Sequence, residues 1–479
     1  MKTLFRKKWF RRLCQTCVVL ASLFVLAYVA INWWGARAKR DVIARMRAEG
    51  RPTSIAEMLK PMPRDEDNFA MIPILARARD EWWFDKSHGQ AAPPDQARAK
   101  LQKMACKTNK RYLAREGNPD PNIWKQNFGL TGSDAECLDG YDRKFGEILA
   151  DLRSGMSRPE TASISFHRLA ASSNTELVGL TAAYSFDLTE VAESLGFRAE
   201  LALAAGRPDV AHESLSMAIR LSELIGSEGT LVGQLIQGRV NRHLQPTLAR
   251  ALQTGGWDKA GILSIRNEFA RLEVLDGFRR ALDVENFITF AMFGEMKTHP
   301  AFLAWGNVPN VSAWQQDFLA RIATKLPDGW YQNNAAMTAR LGLQLRDELG
   351  DGGDLHSWLK ACERAEGRAQ LTSNWEYWLH PMKNNSFGQI LKNACRNQSI
   401  VQMAMLACDL EIHRLDHGRY PERLQETGSP LITDSMTGQP FIYQIAGAGY
   451  LLYSIGSDGK DDGGTRLIVN VVNQPDWIW

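Results

Sequence analysis

Residues 13 to 34 read Leu-Cys-Gln-Thr-Cys-Val-Val-Leu-Ala-Ser-Leu-Phe-Val-Leu-Ala-Tyr-Val-Ala-Ile-Asn-Trp-Trp, and no charge occurs from Leu13 to Ala36. At a rise of about 1.5 Å per residue this stretch makes a helix of about 33 Å, enough to cross a hydrocarbon layer of about 30 Å. Leu20, Leu23, Phe24, Val25, Leu26, Tyr28 and Val29 leave it no polar face. Trp9 and Phe10 stand at one edge and Trp33 and Trp34 at the other, where interfacial aromatics are favoured. Lys2, Arg6, Lys7, Lys8, Arg11 and Arg12 precede the segment and predict a cytoplasmic N-terminus. Arg37, Lys39, Arg40, Arg45 and Arg47 follow it and weaken that bias. The apolar run exceeds a usual leader core, and Ala36-Arg37-Ala38 is a poor cleavage site, so the expectation is an uncleaved single-pass anchor.

Working outward, 1–12 is a basic cytoplasmic tail, 13–34 the transmembrane helix and 35–64 a helical stalk ending at Pro61-Met62-Pro63. The 479 residues suit two or three domains. Lys plus Arg (57) nearly balance Asp plus Glu (54), and no long basic stripe interleaves with aromatics, so a nucleic-acid partner is not expected. Cys14 and Cys17 form a C-x-x-C inside the apolar span, where hydrocarbon disfavours thiolates, and read as small apolar residues. Cys106 and Cys137 flank the stretch containing Asn118-Pro119-Asp120-Pro121, and an oxidising compartment would permit a staple there.

From 65 to 385 helical periodicity dominates. Val191, Leu195, Ala199 and Ala202 share one face; Gly206-Arg207-Pro208-Asp209 breaks the helix; Val210, Met217, Leu221 and Leu224 mark the next face, with Asp209 as its expected cap. A second unit follows: Leu248 and Leu252, the break Gly255-Gly256-Trp257-Asp258, then Ile262, Ile265, Phe269 and Leu272. Residues 297–311 and Gly350-Asp351-Gly352-Gly353-Asp354 read as loops. The paired helices resemble tetratricopeptide hairpins, which stack into a solenoid and hold partners in a groove; a plain helical bundle is the competing expectation.

Residues 386–479 form a third region. An amphipathic helix over 388–416 stops at Gly418-Arg419-Tyr420-Pro421, where glycine suits the position past a helix end and proline prevents resumption. A turn at Asp434-Ser435-Met436-Thr437-Gly438-Gln439-Pro440 leads to strand candidates at 441–443, 450–454 and 467–472. The overall expectation is α+β: an N-terminal transmembrane helix, a large all-α helical-hairpin ectodomain and a small C-terminal helix with an antiparallel sheet. The order Gly418-Arg419-Tyr420-Pro421, Asp434 to Pro440, Leu452-Tyr453-Ser454-Ile455-Gly456-Ser457-Asp458-Gly459 and the ending Asp476-Trp477-Ile478-Trp479 resembles the C-terminal domain of the major pseudopilin of type II secretion systems. The whole chain also resembles bacterial envelope proteins of no assigned activity that join a helical ectodomain to this ending. These resemblances imply a bacterial inner-membrane protein with its bulk in the periplasm and a link to secretion or envelope assembly. A pseudopilin start for prepilin peptidase is lacking and the helix lies near residue 390, so a fibre subunit is not expected.

In pseudopilins the loop after the Tyr-Ser strand binds calcium, and the resemblance implies Asp458, Asp461, Asp462 and Asp476 as metal ligands. Clustered hard oxygens between glycines suit Ca²⁺ on chemical grounds as well, with a solvated acidic turn as the alternative. His413 and His417 stand at i and i+4, but no third ligand is evident, and both are expected to be exposed and unliganded. His212-Glu213 lacks the second histidine of a zincin, and there is no phosphate loop, nucleophile elbow or dinucleotide fingerprint. The expected role is a non-enzymatic scaffold for a protein partner. The alternative is an envelope hydrolase with a site in the helical domain.

Overall fold

The structure is a computed structural model, and it describes residues 2–53, 57, 61–88, 96–105, 121–163, 181–295, 321, 325–349, 358, 386–428, 432–435, 437–456, 460–461, 463–464 and 477–479. The described elements are mostly helices with a small antiparallel sheet, as the α+β reading expects at that level. The chain divides into two compact units: Met1–Met58 with Glu285–Asp347 and Arg364–Asn385, and Leu59–Val284 with Glu348–Glu363 and Ser386–Trp479.

Helix α1, Lys2–Ala48, runs without interruption through the apolar segment. Among the described residues it is the one helix long and apolar enough to cross a membrane, and its apolar window is wholly exposed. It then continues for several turns, burying Ala38, Val42 and Met46. The helical stalk was expected to reach Pro61, yet the helix stops at Ala48. Gly50 adopts φ 64°, and the amides of Gly50 and Arg51 close back on Arg47 O and Met46 O. A left-handed glycine that caps the last carbonyls ends a helix wherever it falls. In the same unit, α10 comprises Val274–Glu295 in part and α11 is Asp328–Leu349.

In the other unit, α2 is Pro73–His88, α3 Ala97–Lys103, α4 Pro121–Phe128 and α5 Asp134–Gly155. Ser133 and Glu136 form a reciprocal capping box at the start of α5. The hairpins expected from periodicity follow: α6 (Thr181–Ala204) with α7 (Pro208–Gly226), then α8 (Leu231–Gln253) with α9 (Lys259–Ala270). Val191, Leu195, Ala199, Ala202, Met217 and Leu221 are buried, as are Leu248, Ile262, Ile265 and Phe269. Asp258 caps α9, its Oδ1 accepting from Gly261 N at 2.8 Å. Asp209 does not cap α7. Pro208 takes the first helical position, so the cap falls on Arg207, which makes no side-chain cap bond, and Asp209 sits in the first turn.

Helix α12, Ser386–His417, packs against α8 and α9. Val401, Ala404, Ala407 and Cys408 join the core that contains Leu248 and Phe269. Helix α12 thus adds the next layer to the helical stack. Gly418, at φ 70°, ends it as expected, its amide bonding Arg414 O. Strands β1 (Ile442–Ala446) and β2 (Gly449–Ser454) pair antiparallel about a two-residue turn in which Gly447 has φ 59°. Strand β3 is Trp477–Ile478, paired with Tyr453 and Ser454. The strand expected at 467–472 and the loops expected at 297–311 and 350–354 lie outside the described residues.

Candidate functional site

The C-terminal module is held at Asp434, a 2% exposed carboxylate. Its oxygens accept from Ser399 Oγ on α12 (3.2 Å), Thr437 Oγ1 in the following turn (3.2 Å) and Ser454 Oγ at the end of β2 (3.0 Å). The Asp434 amide donates to Gln439 O at 2.7 Å, and Asp434 O accepts from Gly438 N at 2.8 Å, closing the turn. One carboxylate thus fixes helix, turn and strand together. Sequence reasoning placed Asp434 at a turn; its burial and its partners at 399 and 454 were not legible.

The Gly-Arg-Tyr-Pro stretch works in the same way. Tyr420 folds back so that its hydroxyl donates to Glu411 Oε1 at 2.5 Å, and its ring meets Tyr450 edge-on. Tyr443 Oη donates to Pro421 O at 2.7 Å, binding β1 to the chain that leaves α12.

Of the four residues expected to hold calcium, Asp461 lies among the described residues; Asp458, Asp462 and Asp476 do not. Asp461 is exposed, and its Oδ1 accepts from Tyr453 Oη and Gly463 N, both at 2.9 Å. The strand tyrosine therefore positions this carboxylate. Among the described residues no group of three or more His, Cys, Asp or Glu converges on a metal position.

His413 and His417 stack with ring centroids 4.1 Å apart. Their Nδ1 atoms bond Arg419 O and His413 O. His417 is exposed as expected, but His413 is buried, because the chain after Gly418 folds over it. Cys137 carries a free, buried thiol directed at Gly132 O; Cys106 lies outside the described residues.

The helical stack carries several buried charges. Arg198, 2% exposed, gives Nε and Nη2 to the two oxygens of Asp142 (2.7 and 2.9 Å) and Nη1 to Glu213 (3.0 Å) and Ser214 (2.7 Å). It joins α5, α6 and α7, with each of its three nitrogens donating, as a buried guanidinium requires. Arg239 pairs with Glu193 across α8 and α6 at 2.8 Å, and Arg250 pairs with Glu200. Ser222, Asn241, Asn397 and Gln237 form a buried chain: Ser222 Oγ to Asn241 Oδ1 (2.7 Å), Asn241 Nδ2 to Asn397 Oδ1 (2.8 Å), Asn397 Nδ2 to Gln237 Oε1 (3.3 Å). That chain registers α12 on the hairpins.

Two buried glutamates stand apart. Burial pushes the Glu228 carboxyl up to about 8, with Ser185 opposing, and its Oε2 has no partner among the described residues. Burial likewise pushes Glu268 up to about 7. Glu268 neighbours Glu223, itself raised by burial, with Arg220 and Arg271 alongside. Arg220 is enclosed, its guanidinium 5.6 Å from the Phe69 ring centroid, with Nη1 on Glu223 (2.9 Å) and Nη2 on Arg158 O (2.6 Å) and Glu160 O (3.0 Å). This is a pair of buried carboxyls both raised by burial, the feature a hydrolase reading calls for. It is flanked by Arg220 and Arg271, and the buried Ser216 side chain lies beside the Glu268 carboxyl.

No family profile, curated protein or solved structure matches the chain.

Proposed function

We propose that the chain is a single-pass protein of the bacterial inner membrane, with a cytoplasmic N-terminus and a periplasmic bulk, that scaffolds a protein partner during secretion or envelope assembly. The single observation carrying this reading is α1, whose exposed apolar face has no use in water and whose basic start favours the cytoplasmic side. The stacked hairpins α6–α9 support the scaffold role by their likeness to tetratricopeptide pairs, whose stacks present partner-binding surfaces. The sequence likeness of the C-terminal module to a pseudopilin supports a calcium-stabilised tip at the loop of Asp458, Asp461 and Asp462, with Asp476 adding an oxygen. The ion pairs of Arg198, Arg239 and Arg250 serve packing, since each joins one helix to another.

Crosslinking in intact cells, followed by purification from solubilised membranes, tests the scaffold role. The expected outcome is one envelope protein recovered in stoichiometric amount. Recovery of the chain alone, together with hydrolysis of an envelope substrate that Glu268→Gln abolishes, would move the assignment to the hydrolase alternative.

A further inference from the structure

The anchor does not end where the apolar run ends. Within its own unit, α1 continues from Trp34 into a parallel pairing with α11. Gly35 and Gly329 meet backbone to backbone: a side chain on Gly35 would strike Gly329 O, and one on Gly329 would strike Ile31 O and Asn32 Cα. Further along, Ala38, Val42 and Met46 pack on Ala336, Ala339 and Leu343, and Arg45 and Arg51 both bind Asp347 at 2.6 Å. At the other end, Ile31 packs on Trp330, Tyr331 and Ala335.

Asn32 is a polar side chain inside the last turn of the apolar segment, where an unpaired amide is costly. Its Oδ1 accepts from the Gly329 amide at 2.7 Å. That amide belongs to the first turn of α11, one of the donors a helix cannot satisfy itself. Each group answers the need of the other, so the contact fixes the depth of the α11 start against the anchor.

Ile31 and Asn32 precede Trp34 by two or three residues, about 3–5 Å along the helix. Trp33 and Trp34 are exposed at 60% and 41%, and the Arg37 guanidinium lies 5.6 Å from the Trp33 ring centroid, an arrangement suited to lipid head groups. A segment touching Ile31, Asn32 and Gly35 must share that level.

We propose that residues 325–331, the turn entering α11 with exposed Lys325, are a second membrane contact, seated among the outer lipid head groups beside the anchor. The anchor and α11 then emerge as one rigid pair rather than as a tether. This inference rests on the proposal that α1 spans the bilayer.

The test uses the full chain reconstituted in phosphatidylethanolamine–phosphatidylglycerol vesicles. An environment-sensitive fluorescent amino acid is placed singly at Leu23, Lys325 and Asp347, all exposed positions. Lipids carry a nitroxide near the head group or deep in the acyl chain. The expected result is loss of most fluorescence at Leu23 with the deep nitroxide, loss of most at Lys325 with the shallow one, and none at Asp347. Quenching at Leu23 with none at Lys325 would overturn the second contact and leave the anchor standing. No quenching at Leu23 would overturn the spanning reading itself, and the second contact with it. Gly329→Leu, which parts α11 from the anchor, is expected to relieve the quenching at Lys325 and leave that at Leu23; unchanged quenching at Lys325 would deny that the helix pairing sets its depth.

Discussion

Asn32, near the end of the apolar stretch, and Gly329, in the first turn of a helix almost three hundred residues later, are joined by a hydrogen bond of 2.7 Å. The bond caps α11 from another helix, and the glycine contact beside it admits no side chain. Asn32→Ala is expected to cost about 1 kcal/mol, as loss of a helix cap does. Gly35→Leu and Gly329→Leu are expected to cost more, because backbone cannot move aside as a side chain can. Limited proteolysis of the detergent-solubilised chain at 37–60 and 325–349 reads both effects. Equal resistance in all three variants would mean that the pairing contributes nothing.

Asp434 supports the C-terminal module through three hydroxyl donors. Hydrogen bonds to a charged group contribute about 1.5–3 kcal/mol each, without simple additivity. Asp434→Ala should therefore lower urea stability by about 3 kcal/mol. Thr437→Ala, which removes one half-buried donor, should cost about 1 kcal/mol. If the two variants lose the same amount, Asp434 is not the hub.

Glu228 and Glu268 make stability depend on pH. Both carboxyls are raised in the folded state, to about 8 and about 7, by burial. A raised acid favours the fold fully below its unfolded value, and that contribution is lost as pH rises through the folded value. The window is therefore pH 4.5 to 8, with a loss on the order of 5 kcal/mol for Glu228 at its upper end. The melting temperature should fall between pH 5 and pH 8.5. Glu228→Gln should raise it at pH 8.5 and flatten the profile; a profile unchanged by that variant would show that Glu228 does not titrate in this range.

Calcium should raise the melting temperature of the chain relative to chelator, and Asp458→Ala with Asp461→Ala should remove the difference. Tyr453→Phe, which frees Asp461 from its strand, should weaken the calcium effect without abolishing it. Identical melting curves with calcium and with chelator would discard the metal loop.

What was legible in the sequence is what local chemistry writes. Glycines at 206, 418 and 447 break or turn the chain where positive φ is needed, and the apolar faces of 191–202 and 217–224 are the faces that are buried. The first helix ends earlier than expected because the left-handed backbone of Gly50 stops it at Ala48. Asp209 was misread because the adjoining proline shifts the helix start. The place of α12 in the helical stack was hidden for a different reason. It depends on Asn241 meeting Asn397 and on Arg266 meeting Asp409 at 2.5 Å, pairs more than 140 positions apart. No local signal announces such partners. Of the expected metal ligands, Asp461 alone falls among the described residues, where its link to Tyr453 gives the Tyr-Ser motif a physical reason.

The compartment of the bulk of the chain is tested most directly by two fusions after Trp479 in living bacteria, one to alkaline phosphatase and one to a fluorescent protein that matures in the cytosol. The account predicts an active phosphatase and a dark fluorophore. An inactive phosphatase with a bright fluorophore would contradict it, and would remove the case for a calcium-rich setting along with it.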